Sequence, residues 1–270
     1  MPKLGVQLHS VRDAVSDDFE ATLTELAKMG FTGVEFAGRY GPYKDDPQGL
    51  KSFLDSLNLQ VSGAHMPLSQ LQGKVGERNF VFLKQLGAGL VIVPFDNRAN
   101  DPSQIDALIA ELASAHEQAK QHGLRLGYHN HSQEFETFKG ATFWDYIAKQ
   151  TPSDFALQLD VGWVNFTNMD AIDFVKRYPK RTLSTHYKVR TYKGRPSTVP
   201  QGTKVIIGED NYHWRAMVQA NVNYGGTQWI IIEQEEYPEG LSPLQSVQAS
   251  LAGMKSIMDE VLKEQTSALR

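Results

Sequence analysis

PSQIDALIAELASAHEQAKQHGLRLGYHNH, residues 102–131, holds a helix, a stop and a strand in immediate succession. Apolar residues recur at helical spacing up to Gly123, which ends the helix. LRLGYHNH (124–131) is then short, apolar and abruptly polar at its end. Buried parallel strands have that pattern, and a helix feeding such a strand is half of a βα unit. The same alternation recurs on both sides. Apolar runs stand at KLGVQL (3–8), GVEFA (33–37), LQVSGAH (59–65), LVIVPF (90–95), FALQLDV (155–161), TLSTHYK (182–188) and WIIIEQE (229–235). Helical patterns separate them at 17–30, 47–58, 78–88, 141–150, 169–178 and 211–226, and 243–265 closes the series. Eight strands, each followed by a helix, predict an α/β fold, one (β/α)8 TIM barrel domain over residues 1–270. An open doubly wound sheet is the weaker reading. It leaves two sheet edges and expects a glycine-rich turn after the first strand, which is missing.

In such a barrel the functional residues sit at the carboxyl ends of the strands. Those positions hold His9, Glu35, His65, His129 with Asn130 and His131, Asp160, His186 with Lys188, and Glu233. Residues two apart on a strand share a face. Gly33, Gly63, Gly127 and Ser184 precede Glu35, His65, His129 and His186 by two, so small side chains are expected to leave room in the barrel mouth. Gln7 and Gln158 stand in the same relation to His9 and Asp160. Polar groups pointing inward are costly unless they are hydrogen-bonded or ligate something.

Glu233 follows the most hydrophobic strand and needs a cation or several donors. Asp160 reads as a ligand or as the cap of the next segment. His186, between those two strands, reads as a ligand more than as a core histidine. The fourth ligand is expected to be His129, with Glu134 as the alternative. Glu233 and His129 are the expected catalytic groups. His9, Glu35, His65, Asn130, His131 and Lys188 are expected to bind substrate, Glu35 otherwise pairing with Arg12 or Arg39. Without cysteine, any metal must be held by oxygen and imidazole nitrogen, which suits Mn, Co, Zn or Mg. Such a centre can polarise the carbonyl of a keto-sugar while a carboxylate or imidazole removes a neighbouring C–H proton.

The quoted stretches GVQLHSVRD, AHMPL, GYHNHSQEFE, LQLDVGWV, THYK and IIIEQEEYP together resemble the sugar phosphate isomerase/epimerase group of xylose isomerase-like barrels, over essentially the whole chain and in order. The resemblance implies metal ligands at Asp160, His186, Glu233 and the end of the fifth strand. The expected enzyme is a divalent-metal-dependent isomerase or epimerase of a keto-sugar or sugar phosphate, working through an enediolate, with a lyase or dehydratase on a 3-keto-glycoside or inosose at the same metal site as the alternative. The chain departs from ketose 3-epimerase relatives in carrying His129 where they carry Glu, and Trp163 where they tend to carry His. After His186 it reads Tyr187, Lys188, Val189, without the Asp of an H-x-K-D pattern.

A net charge of −4 opposes nucleic-acid binding, including that of an endonuclease-like relative on the same barrel. No apolar run is long enough to span a membrane, and the start does not read as a signal peptide. A cytoplasmic enzyme with a small sugar-like substrate, and room for a homo-oligomer, is expected. A sugar-binding barrel without turnover is the remaining alternative. The segment 188–210, with Lys188, Arg190, Lys193, Arg195 and Lys204, reads as a basic lid over an anionic or polyhydroxy ligand, or as a solvated loop or subunit contact.

Overall fold

The computed structural model describes residues 1–190 and 205–268. Eight parallel strands close a barrel: β1 (Lys3–Gln7), β2 (Gly33–Ala37), β3 (Gln60–His65), β4 (Leu90–Val93), β5 (Arg125–His129), β6 (Ala156–Asp160), β7 (Ser184–Tyr187) and β8 (Trp229–Ile232). Each pairs with its sequence neighbours, and β8 closes on β1 with Lys3 opposite Trp229 and Val6 opposite Ile232. The expected α/β barrel is the observed fold. A small antiparallel hairpin, Thr137–Phe138 with Ala141–Thr142, and the short helices Arg12–Asp17 and Val161–Phe166 are added to it.

The two faces of each strand follow the period of two. Val91 and Val93 of β4, Leu157 and Leu159 of β6, and Ile230 and Ile232 of β8 pack outward into the core shared with the helices. Leu90, Ile92, Ala156 and Leu183 form a separate apolar cluster. The glycines on the interior face do not leave empty space, contrary to expectation. A Cβ on Gly33 would lie 2.5 Å from the Trp229 ring, and one on Gly127 would lie 2.7 Å from Ile92 Cδ1. The room is already filled by bulky side chains of neighbouring strands, as close packing requires.

The helical boundaries differ from expectation where polar residues intervene. The stretch 17–30 breaks at Asp18, whose backbone is extended and whose carboxylate caps the helix Phe19–Met29 through Ala21 N. The expected 78–88 helix begins earlier, at Gly73. The 211–226 helix is α-helical from Trp214 to Ala220 and ends in a π-turn. At the mouth, Ser10 Oγ accepts from Gln234 N at 2.9 Å and Tyr237 Oη donates to Ser10 O at 2.7 Å, tying the first strand-end loop to the last.

Candidate active site

Strand register stacks the polar residues inside the mouth. Gln7 lies opposite Glu35, His129 opposite Gln158, and Asp160 opposite His186. Glu233 follows β8 directly and is held by a backbone bond from its N–H to Tyr187 O. His129, Asp160, His186 and Glu233 each offer a ligand atom, all within 4.8 Å of one another, and all four residues are buried. The carboxylate of Glu134 is outside this group. One oxygen accepts from Tyr128 Oη at 3.0 Å and the other from His131 N at 2.8 Å.

Two imidazoles of this group are oriented from behind. His129 Nδ1 lies 3.0 Å from Gln158 Oε1, so it donates there and leaves Nε2 facing Asp160 Oδ2, 3.8 Å away. His186 Nε2 donates to Glu35 Oε2 at 2.5 Å, while Nδ1 faces Glu233 Oε2 at 2.8 Å. Glu35 is further held by Gln7 Nε2 at 2.8 Å, Gln158 Nε2 at 2.7 Å and His65 Nε2 at 3.1 Å. The expected pairing of Glu35 with Arg12 or Arg39 is absent. Arg12 donates to His9 O and Arg39 to Arg12 O, both outside the barrel interior. Gln158 also bonds His65 and Ser184, so one amide fixes the imidazoles of His65 and His129 and the carboxylate of Glu35 around it.

Asp160 divides its carboxylate. Oδ1 accepts from Trp163 N at 2.9 Å and caps the short helix Val161–Phe166. Oδ2 is buried and has no aligned hydrogen-bond donor, although Lys188 Nζ stands 3.1 Å away. The cap and the ligand readings of this residue therefore describe different oxygens. The wholly buried Lys188 also lies 2.9 Å from Glu233 Oε2 and 2.9 Å from Glu235 Oε2.

Burial and charge set the protonation states. Burial pushes Glu233 up, but Lys188 and His186 outweigh it and hold the carboxyl well below its usual range. Burial lowers His186, and Glu35 and Glu233 reverse this and push it up to about 10. His129 is driven well down by burial and by the neighbouring His186 and His65. His131 is pushed down to about 4 by burial and by Lys188, so it is neutral at physiological pH.

The donor set fits a divalent ion. It mixes two carboxylates with two imidazoles, each imidazole is anchored through its other nitrogen, and a buried carboxylate oxygen lacks an aligned donor.

The remaining expected residues lie near this group in different roles. His65 stacks on His186, ring centroids 5.2 Å apart. His131 lies between Phe95 and Trp163 on the rim, its Nδ1 buried without a partner. Asn130 turns to the backbone, its Oδ1 accepting from Asp160 N at 2.9 Å, so it steadies the end of β6. His9 is exposed on the turn after β1. Sequence reasoning missed Gln158 as the hub, Glu235 as a partner of Lys188, and the rim formed by Phe95, Trp163 and Arg190, whose guanidinium lies 3.6 Å over the Trp163 ring. The signal for the first two was strand parity, two residues from Asp160 and from Glu233. Lys193, Arg195 and Lys204 of the basic segment lie outside the described residues. A cavity of about 670 Å³ opens at the opposite end of the barrel, among Lys3, Gln60, Arg125 and Trp229, and none of these mouth residues lines it.

The family described as xylose isomerase-like TIM barrel matches residues 23–257. Among curated proteins, the chain is 23% identical over 277 residues to an inosose dehydratase of Lacticaseibacillus casei, covering 91% of this chain and 88% of the relative. Among solved structures, it is similar to a sugar phosphate isomerase/epimerase from Parabacteroides distasonis, with TM-score 0.73, 23% identity and 95% coverage of both chains. It is also similar to an L-ribulose 3-epimerase, with TM-score 0.70, 14% identity, and 99% and 98% coverage of the two chains. No helix among the described residues is long and apolar enough to cross a membrane.

Proposed function

The chain belongs to the xylose isomerase-like TIM barrel family, and from that footing we propose that it is a divalent-metal-dependent lyase of the dehydratase type, acting on a cyclic polyhydroxy ketone. The observation that carries the reading is the asymmetry of the mouth. Glu233 stands on one side as an ionised carboxylate, and the β5 position facing it is His129 rather than a second carboxylate. The curated relatives named inosose dehydratase point to the same class of reaction.

His129, Asp160, His186 and Glu233 would hold the ion. Bound there, it would polarise the substrate carbonyl and lower the cost of forming the enolate. Glu233 takes the proton from the carbon next to the carbonyl, and the C–H electron pair moves into the enolate. The enolate collapses, the C–O bond at the β carbon breaks, and the proton on Glu233 goes to the departing oxygen. The products are an unsaturated ketone and water. Phe95, His131 and Trp163 form an aromatic wall suited to the apolar face of a polyhydroxylated ring. The isomerase or epimerase reading uses the same first step and returns the proton to carbon; neutral His131, with its free Nδ1, is placed to receive or relay it.

Inososes and ketoses incubated with the metal-stripped and the reloaded protein in D2O, followed by NMR, separate these outcomes. Loss of the β-hydroxyl and a new vinyl signal, only after reloading, is the expected result. Deuterium at carbon without loss of water would assign an isomerase or epimerase. Full turnover by the stripped protein would remove the metal from the mechanism.

A further inference from the structure

Lys188 and Arg190 leave the end of β7 on one parity, and Glu233 and Glu235 leave the end of β8 on the same parity. Their charges form a ladder. Lys188 Nζ is 2.9 Å from Glu233 and 2.9 Å from Glu235, and Arg190 Nη1 is 2.7 Å from the same oxygen of Glu235. The lower end of the ladder reaches into the metal site, because Lys188 Nζ is also 3.1 Å from Asp160 Oδ2. An ammonium in contact with both carboxylates of a metal site repels any divalent ion that enters between them. It also cannot be left unpaired in a buried position. Glu235 supplies the alternative partner. It is the outermost of the three acids that Lys188 touches and is partly open to solvent.

We propose that Lys188 is a built-in stand-in cation, shared among Asp160, Glu233 and Glu235 in the metal-free chain and left to Glu235 alone when a divalent ion takes the place between the other two. The inference rests on the metal reading above and adds an exchange of cations to it. Lys188 holds the two carboxylates apart from water and from each other's charge until the ion arrives. Its ammonium would then turn toward the rim and a bound substrate's oxygen, on the side of Trp163, whose ring is 5.5 Å away in the metal-free chain. Arg190 competes for Glu235 and so sets how easily the transfer occurs.

The test is a double-mutant cycle read by calorimetric titration of Mn²⁺ into metal-stripped, full-length protein. Lys188→Met keeps the stem and removes the charge, and should tighten Mn²⁺ binding by about tenfold or more. Glu235→Gln removes the second seat and should weaken binding several-fold in the wild-type background, with no effect once Lys188→Met is present. A purely long-range effect of the Glu235 charge would weaken binding equally in both backgrounds, and that result overturns the exchange. Unchanged or weaker binding by Lys188→Met overturns it as well. Should Lys188→Met fail to fold, Arg190→Met replaces it in the cycle. Freeing Glu235 should tighten binding only when Glu235 is present, and no change overturns the proposal. Asp160→Asn reports on the metal reading itself. Saturable binding lost in Asp160→Asn but insensitive to Lys188 and Arg190 sinks the exchange alone, whereas no saturable binding in any of the proteins sinks both.

Discussion

At the amino end of β8 stands Trp229, and just past its carboxyl end stands Glu233; β2 opens on Gly33 and carries Glu35 two residues further along. The floor of the barrel excludes water by shape. The indole of Trp229 fills the place that a side chain on Gly33 would need, and Leu90, Ile92, Ala156 and Leu183 fill the rest. The mouth is equally buried but is matched by charge and hydrogen bond. Glu35, Asp160 and Glu233 face His186 and Lys188, with Gln7 and Gln158 supplying the remaining donors. An apolar packing error costs in proportion to the volume misplaced. A polar error leaves a buried charge without its partner, and that cost is larger and less forgiving. The two ends should therefore respond differently to substitution, the floor in stability and the mouth in activity as well.

The largest effect is expected for Glu233→Gln. Turnover on the substrate identified by NMR should fall by about 10² to 10⁴-fold, while circular dichroism reports an intact fold. Near-wild-type turnover would erase the functional half of the contrast. Gln158→Leu should come next. It strips Glu35, His65, His129 and Ser184 of a shared partner at nearly constant volume, and urea unfolding should register a loss of about 3 kcal/mol together with reduced activity. Gly33→Ala, at the floor, should cost about 1–3 kcal/mol through its clash with Trp229 and leave turnover per folded molecule unchanged. A drop in turnover without a drop in stability would blur the division between the ends.

An effect on stability alone, set by pH, concerns Glu134, which is buried beside the mouth. Burial pushes its carboxyl up to about 7, against the hydrogen bonds from His131 N and Tyr128. A carboxyl raised on folding binds more protons in the native than in the unfolded chain, so its share of stability is present near pH 4.5 and is lost as pH rises through 7. Glu134→Gln should thus gain on wild type by about 3 kcal/mol between pH 4.5 and 8, read as the difference of their unfolding free energies. A difference that stays flat across that range would mean the carboxyl is ionised at little cost.

The strand order and the inward-facing residues were legible because they rest on local quantities. An apolar run that stops at Asp160 or Glu233, or a helix that ends at Gly123, can be recognised without knowing its neighbours. The contacts that organise the mouth cross the barrel. Glu35 on β2 meets His186 on β7, and Gln158 on β6 reaches His65 on β3. Strand parity says that these side chains share the interior, but the stagger of a closed barrel decides which of them touch. Asn130 shows the limit from the other side. It sits among polar neighbours in the sequence, yet the backbone N–H of Asp160 claims its amide oxygen. Lys188 was legible as a mouth residue, whereas its position between two carboxylates was not, because a flexible stem can place its charge at several depths.

The pairing of β8 with β1 bears on how the chain is made. During synthesis, residues 3–7 emerge before the other strands of the barrel and wait for residues 229–232 before their second edge is covered. Until then β1 and β7 present unpaired backbone, the kind of edge to which other strands add. A nascent chain that has released β7 but not β8 should be the most chaperone-dependent and aggregation-prone intermediate, and late strand closure should be the slow step of refolding. Ribosome-bound chains halted before and after residue 232 should differ sharply in protease resistance. Gradual protection, strand by strand, would show that the seam is not what completes the fold.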